Sequence, residues 1–280
     1  MEKTLKKYFP FFVLPTLAAF TIAFIIPFLM GIYLSFTKFT TVIDAKWIGF
    51  ENYNRAFSSP EFLNALGFTS KFAVVSVITI NLGAFLLALL LTRGMKGTNL
   101  FRTVFFMPNL IGGIVLGYIW QLIINGVLYK MGVTLTYDPK YGFWGLVILM
   151  NWQLIGYMMI IYIAGIQSIP ETLVEAAKID GASTWTILKN ITIPLVMPSI
   201  TICLFLTVSN SFKLFDQNLA LTAGAPADKT AMMALDIFNT FYGKVGWEGV
   251  GQAKAVIFFL LVACISLPQL LFTRKREVEH

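Results

Sequence analysis

Residues 168–194 read SIPETLVEAAKIDGASTWTILKNITIP. The stretch is amphipathic and charged, and it interrupts a chain otherwise built of long apolar runs. Its spacing predicts two short helices. Ser168 and Glu171 stand at capping-box separation, and Pro170 lacks an N–H that a first helical turn would leave unsatisfied. The first helix is expected to run to about Ile179, with Asp180-Gly181 as its stop, because glycine accepts the left-handed C-terminal cap. Ser183 or Thr184 starts the second, which is expected to end before Pro194. The small side chains of Ala176 and Ala177 let a partner's surface come close. The pair therefore reads either as a docking knob or as a solvated amphipathic hairpin.

Around this segment the chain is apolar. Of its 280 residues 57% are hydrophobic and 12% charged, and its mean hydropathy is +0.76. A soluble domain carries about 25% charged residues, so lipid is the indicated solvent. Apolar windows fall at 11–36, 68–92, 104–125, 142–167, 196–215 and 252–272. Each reaches or approaches the ~20 residues a helix needs to cross the hydrocarbon core. Barrel strands would alternate polar and apolar residues, and these runs do not. The expected fold is all-α: one polytopic membrane domain over 1–280 with six transmembrane helices.

Lys and Arg are denser in segments 1–10, 93–102, 168–196 and 273–280 than in 37–71, 126–142 and 213–254. That bias places both termini and the 168–194 segment in the cytoplasm. The net charge of +7 follows from these flanks, and no basic stripe with interleaved aromatics suggests nucleic acid. Lys3, Lys6 and Lys7 precede an apolar run too long for a cleaved signal core, so the first span is read as retained. Cys203 and Cys264 fall in predicted spans and read as packing residues; His280 stands alone, and no metal-ligand cluster is present in the sequence.

Between the spans, 47–53 (WIGFENY) suits an interfacial segment on the outer surface, and Arg274-Lys275-Arg276 a cytoplasmic stop. The third span carries Pro108, which predicts a kinked helix, and Gly113 and Gly117, whose spacing permits close helix approach. Asn151, Gln153 and Tyr157 in the fourth span, and Ser209, Asn210 and Ser211 in the fifth, are polar groups at membrane depth. They serve either as interhelical glue or as a polar path. Lys213 is expected to snorkel to the outer interface or to pair with Asp216. A loop with a short helix around 229–241 follows.

The segment Glu175-Ala176-Ala177-x-x-Asp180-Gly181-Ala182, followed by Ile191-x-Ile193-Pro194-Leu195 and Pro198, resembles the EAA loop of ABC-importer permeases. The subtype is similar to the carbohydrate permeases related to the larger membrane subunit of the maltose transporter. Residues 47–53, 101–108 and Phe215-Asp216-Gln217 with Leu221-Thr222-x-Gly224-x-Pro226 agree. The resemblance implies a bacterial cytoplasmic-membrane subunit of an ATP-driven, binding-protein-dependent sugar importer. Its partners would be a second homologous permease, two ATPase subunits and an extracytoplasmic sugar-binding protein. Glu175, Ala176, Ala177, Asp180, Gly181 and Ala182 would form the ATPase-coupling element. The resemblance also places a substrate path at Asn109, Asn151, Tyr157, Asn210 and Ser211.

No catalytic residue is expected. The chain has no G-x-x-x-x-G-K-[ST] phosphate loop, since Gly243-Lys244-Val245 lacks both the upstream glycine and the final hydroxyl, and no H-E-x-x-H or G-x-S-x-G. The chain itself is therefore expected to hold no cofactor, with ATP and magnesium on the partner ATPases. A stand-alone secondary transporter or channel is the alternative. It would call for inverted repeats, interrupted helices or buried ionisable groups for ion coupling, and neither a repeat nor a deep-lying Asp or Glu is evident in the sequence.

Overall fold

A computed structural model describes residues 2–275. They are mostly helical. In order they form α1 (Glu2–Phe20), α2 (Ile26–Ser35), the two-residue strands β1 (Thr37–Lys38) and β2 (Lys46–Trp47), α3 (Glu51–Phe57), α4 (Pro60–Leu91), α5 (Thr98–Phe106) and α6 (Gly113–Tyr129). Then come α7 (Pro139–Gln167), α8 (Glu171–Ile179), α9 (Thr184–Ile187), α10 (Ile193–Leu195), α11 (Met197–Phe212), α12 (Asp216–Leu221), α13 (Met233–Gly243) and α14 (Glu248–Arg274). Arg276 and His280 lie outside the described residues.

Four helical stretches are long and apolar enough to cross a membrane: Phe9–Ser35, Pro60–Leu91, Pro139–Gln167 and Glu248–Arg274. Two more segments qualify only as bent pairs, Thr98–Leu110 with Gly113–Tyr129 at 102°, and Thr184–Leu195 with Met197–Phe212 at 68°. The first pair corrects the expectation of one kinked helix over 104–125. Pro108 sits in a 3-10 turn over Met107–Leu110, and Ile111 and Gly112 are extended, with ψ 130° and 140°. Two consecutive extended residues break the hydrogen-bond ladder outright, where a proline alone would bend it.

The chain divides into two compact units. In the first, whose described residues run to Phe62 and resume over Ile237–Phe259, β1 pairs antiparallel with β2, Thr37 opposite Trp47. The turn between them is fixed by Asp44, whose Oδ1 accepts the backbone N–H groups of Thr40 and Thr41 at 3.0 and 2.9 Å. These two donors, Thr41 foremost, hold the Asp44 carboxyl below the usual carboxylate range. Buried Asn52 donates to the carbonyls of Ser35 and Thr37 at 2.9 and 2.8 Å. Trp47, Phe50 and Tyr53 surround Phe36 with ring centroids 5.1–5.3 Å from it. Lys254 of α14 is fully buried; its Nζ donates to Thr240 Oγ1 at 2.8 Å and lies 5.3 Å from the Phe62 ring centroid. A cation inside a membrane-length helix escaped the sequence reading.

The second unit covers Leu63–Asp236 and continues from Leu260, and α7 is its axis. Leu146, Leu149, Met150, Met158, Met159 and Tyr162 of this helix are buried in one core with Ile80, Ala84 and Ala88 of α4 and Cys203 of α11. In lipid, burial of apolar surface does not drive helices together, so close packing and hydrogen bonds must. Both are present. A Cβ on Gly156 would overlap the Phe105 carbonyl, so α5 rests backbone-on-backbone against α7. Gly165 likewise receives Ser199. Tyr162 Oη donates to Asn81 Oδ1 at 2.7 Å and Asn81 Nδ2 to Thr207 Oγ1 at 3.2 Å, joining α4, α7 and α11. Such links contribute ~0.6 kcal/mol each on average in a membrane.

Candidate functional site

The charged 168–194 segment folds as a helical elbow, with a different start from the one its spacing predicts. Ser168 caps the end of α7: its hydroxyl donates back to the Gly165 carbonyl at 2.8 Å. Its backbone is itself helical as the C-cap of α7, so it does not stand at the N-cap of α8, which begins at Glu171 after an extended Pro170 and has no side-chain cap. Glu171 still favours the N-terminal dipole as a first-turn carboxylate.

The stop is as expected. Gly181 has φ +78°, its N–H donates to the Lys178 carbonyl at 3.1 Å, and the Ala182 N–H donates to that of Ala177 at 2.9 Å. This pair of bonds is a Schellman closure, and it sets the angle of the elbow. Ser183 Oγ then accepts the Thr186 N–H at 3.2 Å and starts α9. The second arm does not end before Pro194. A π turn over Leu188–Thr192, in which the Ile193 N–H reaches the Leu188 carbonyl, carries the helix through the proline into α10. The wider turn relieves the clash a proline ring makes with the carbonyl four residues back.

Glu171, Glu175, Ala176, Lys178 and Asp180 are exposed on the elbow, and Ala177 and Ala182 are half-buried. Three large apolar side chains also face outward there, Leu173 at 45%, Ile179 at 87% and Trp185 at 69% exposure. The elbow thus presents both charge and bare apolar surface to the outside. Beneath it lies a cavity of about 710 Å³, bounded by Thr92 and Arg93 after α4, Gln167 at the end of α7 and Ile169 beyond it, and Glu175 and Leu188 of the elbow.

A second cavity, of about 470 Å³, opens among α7, α11, α12 and the 3-10 turn after α5. Asn109, Gln153, Tyr157, Asn210, Lys213 and Gln217 supply its polar lining, and Met150, Leu154, Leu206 and Leu214 the rest. Three of the five residues expected on a path therefore meet here: Asn109, Tyr157 and Asn210. Asn151 does not line the cavity; its amide donates within α7 to the Val147 carbonyl at 2.8 Å. Ser211 is fully buried, and its hydroxyl has no hydrogen-bond partner among the described residues.

Helical spacing explains which residues converge. Met150, Gln153, Leu154 and Tyr157 are one face of α7, as Leu206, Asn210 and Lys213 are of α11. Asn151 and Ser211 lie off those faces. Of the residues missed, Gln153 and Lys213 carry that same periodic signal, and Gln217, on α12, does not. Lys213 forms no ion pair with Asp216 among the described residues. The Asp216 Cβ instead lies 2.7 Å from where a Cβ on Gly113 would stand. Gly113 and Gly117 admit α12 at this distance, Gly117 against Ala220, and Gln121 Nε2 fixes the far end by donating to the Leu221 carbonyl at 3.0 Å. So seated, Gln217 donates to Gln153 Oε1 at 2.8 Å. The loop beyond α12 is organised by buried Asn218, which bonds Thr222 Oγ1, the Thr230 carbonyl and the Met232 N–H. The following helix starts at Met233 and not near 229.

Amides, a phenol and one ammonium around a half-open cavity can hydrogen-bond a hydroxyl-rich molecule, while the Tyr157 ring offers a face to its C–H groups. Nothing in the lining is a nucleophile paired with a base. Among the described residues no cluster of three or more His, Cys, Asp or Glu could hold a metal ion.

Comparison with known proteins gives a consistent picture. The family described as binding-protein-dependent transport system inner membrane component matches residues 81–278. The chain is 47% identical over 277 residues, 96% of its length and 94% of the relative's, to a probable starch degradation products transport system permease protein, AmyD, of Thermoanaerobacterium thermosulfurigenes. It is 30% identical over 276 residues, 95% of its length and 93% of the relative's, to the trehalose/maltose transport system permease protein MalF of Thermococcus litoralis. Its fold is similar to that of a chain in the crystal structure of a bacterial ABC transporter involved in the import of the acidic polysaccharide alginate. That chain is 22% identical, the TM-score is 0.82, and 98% of each chain is covered.

Proposed function

This chain belongs to the family of binding-protein-dependent transport inner-membrane components, and we propose that it forms half of the translocation path of an ATP-driven sugar importer. The observation that carries the reading is the 470 Å³ cavity walled by Asn109, Gln153, Tyr157, Asn210, Lys213 and Gln217. Amides and an aromatic ring on facing helices suit an oligosaccharide. The names of the two relatives, a starch-product permease and a trehalose/maltose permease, favour the same class.

In this reading each bent pair counts as one span, giving six in one membrane domain over 1–280 with both termini cytoplasmic. A second, similar permease supplies the other half. Two ATPase subunits, which hold the ATP and magnesium, dock on the elbows, here through Glu175, Ala176, Ala177, Asp180, Gly181 and Ala182. A binding protein delivers sugar from outside; a periplasmic protein carrying an alginate pentasaccharide is part of a related solved complex. ATPase closure pulls on the elbow. The elbow continues through α10 into α11, which carries Asn210 and Lys213 into the cavity wall, so motion at one end reaches the other through a single bent helix.

The test is uptake of labelled maltotetraose by cells lacking only this chain, complemented by variants. Wild type restores uptake. Tyr157→Ala and Asn210→Ala, at normal membrane levels, raise the half-saturating concentration about tenfold, the loss of one or two contacts of ~1 kcal/mol. Unchanged uptake in both variants overturns the path assignment.

A further inference from the structure

Lys213 is the one charged side chain among the described residues lining the 470 Å³ cavity, and no carboxylate lines it. Asp216, three residues on, forms no ion pair with it among the described residues, and the Asp216 Cβ lies against Gly113. Lys213 is exposed where it lines the cavity, and the other polar lining residues are neutral amides and a phenol. Local structure fixes its backbone at the cavity wall. Lys213 is the C-cap of α11, with its N–H on the Ser209 carbonyl at 3.2 Å, and α12 turns away directly after it.

We propose that Lys213 makes the cavity a cation filter. It admits hydroxyl-rich substrates that are neutral or bear a carboxylate or phosphate, and turns away those bearing an ammonium group. A fixed positive charge on a membrane path raises the energy of every cation that enters, and it acts more strongly where low-dielectric walls focus its field. The neutral amides of Asn109, Gln153, Asn210 and Gln217 donate and accept alike, so they discriminate by hydroxyl position and not by charge. Charge selection therefore falls to Lys213. An importer with such a residue rejects amino sugars and opposes entry of inorganic cations that the membrane potential drives inward. The inference rests on the sugar-path reading above.

The assembled complex, in proteoliposomes with its ATPases and binding protein, is assayed with maltotetraose and with its singly aminated analogue at about pH 6, where such an amine is protonated. The same binding protein serves every variant, so its own preference cancels when ratios are compared. Wild type favours the neutral sugar. Lys213→Gln, which keeps a long polar side chain, narrows the neutral-to-aminated uptake ratio about tenfold, a modest like-charge effect for a cavity that water reaches. Lys213→Arg keeps the wild-type ratio and shows that loss of charge, not of shape, is responsible. An unchanged ratio in Lys213→Gln, with the neutral sugar still transported, overturns the filter alone. Failure of wild type to transport either sugar overturns the sugar reading and the filter with it.

Discussion

The side-chain amide of Gln217 donates to that of Gln153 across 2.8 Å, clasping the short helix α12 to the long helix α7 at the edge of the polar cavity. Gln153 is nearly buried, so its carbonyl oxygen depends on this donor. Gln217→Leu is expected to leave that acceptor unsatisfied, at a cost of about 1–3 kcal/mol, whereas the double variant Gln153→Leu/Gln217→Leu recovers much of it. A double-mutant cycle on the melting temperature of the purified complex checks this. Additive effects would mean the amide pair is not coupled.

Gly156 accepts the backbone of α5 directly, with the Phe105 carbonyl where a side chain would stand. Gly156→Ala should therefore push α5 and the Asn109 turn off α7. The expected destabilisation is about 1–3 kcal/mol, as for other overpacked sites. Thermal unfolding followed by tryptophan fluorescence in mild detergent reads it. Gly126→Ala is the control, because a Cβ there meets nothing within 4 Å.

At Gly181 the constraint is conformational alone. Its φ is +78°, yet a Cβ there would touch nothing within 4 Å. Asparagine tolerates the left-handed region and valine does not. Gly181→Asn should keep transport within about twofold of wild type, while Gly181→Val opens the Schellman closure at a strain of about 1–2 kcal/mol or more. The valine variant is expected to assemble normally and hydrolyse ATP without moving sugar. Wild-type uptake in Gly181→Val would show that the elbow's angle is not used in coupling.

The β1–β2 turn should be acid-labile. The Asp44 carboxyl is held below its ordinary value by the Thr41 and Thr40 N–H groups, so it stabilises the turn when ionised. That contribution is complete above the unfolded carboxylate value near 3.9 and is lost as pH falls below it toward the lower folded value. Tryptophan emission from Trp47, in a variant lacking the other tryptophans, should shift below about pH 4, and Asp44→Ala should show the acid-form spectrum at neutral pH. A pH-independent spectrum in both proteins would count against the cap.

The long helices were legible because apolar runs leave a membrane chain few alternatives, and the Gly181 stop was legible because only the backbone at that residue decides it. The misread features share a cause. Ser168 could cap either of two helices, and sequence spacing does not say that α7 extends to Gln167 and takes its hydroxyl. Pro108 announced a bend, but the break also needs extended Ile111 and Gly112, whose conformation comes from packing. In the cavity, polar residues within the spans were read without asking which shared a helix face. The 150-153-154-157 rhythm would have put Gln153 in place of Asn151. Gln217 had no such signal, since its position depends on α12 lying over Gly113 and Gly117 across 100 residues of chain.

The measurement closest to the central claim is native mass spectrometry of this chain, tagged and purified from its own operon in mild detergent. The account predicts a particle with one copy of this chain, one homologous permease and two ATPase subunits. Recovery alone or as a homo-oligomer, with those partners shown to be expressed in the same cells, would contradict it and point to a stand-alone transporter or channel.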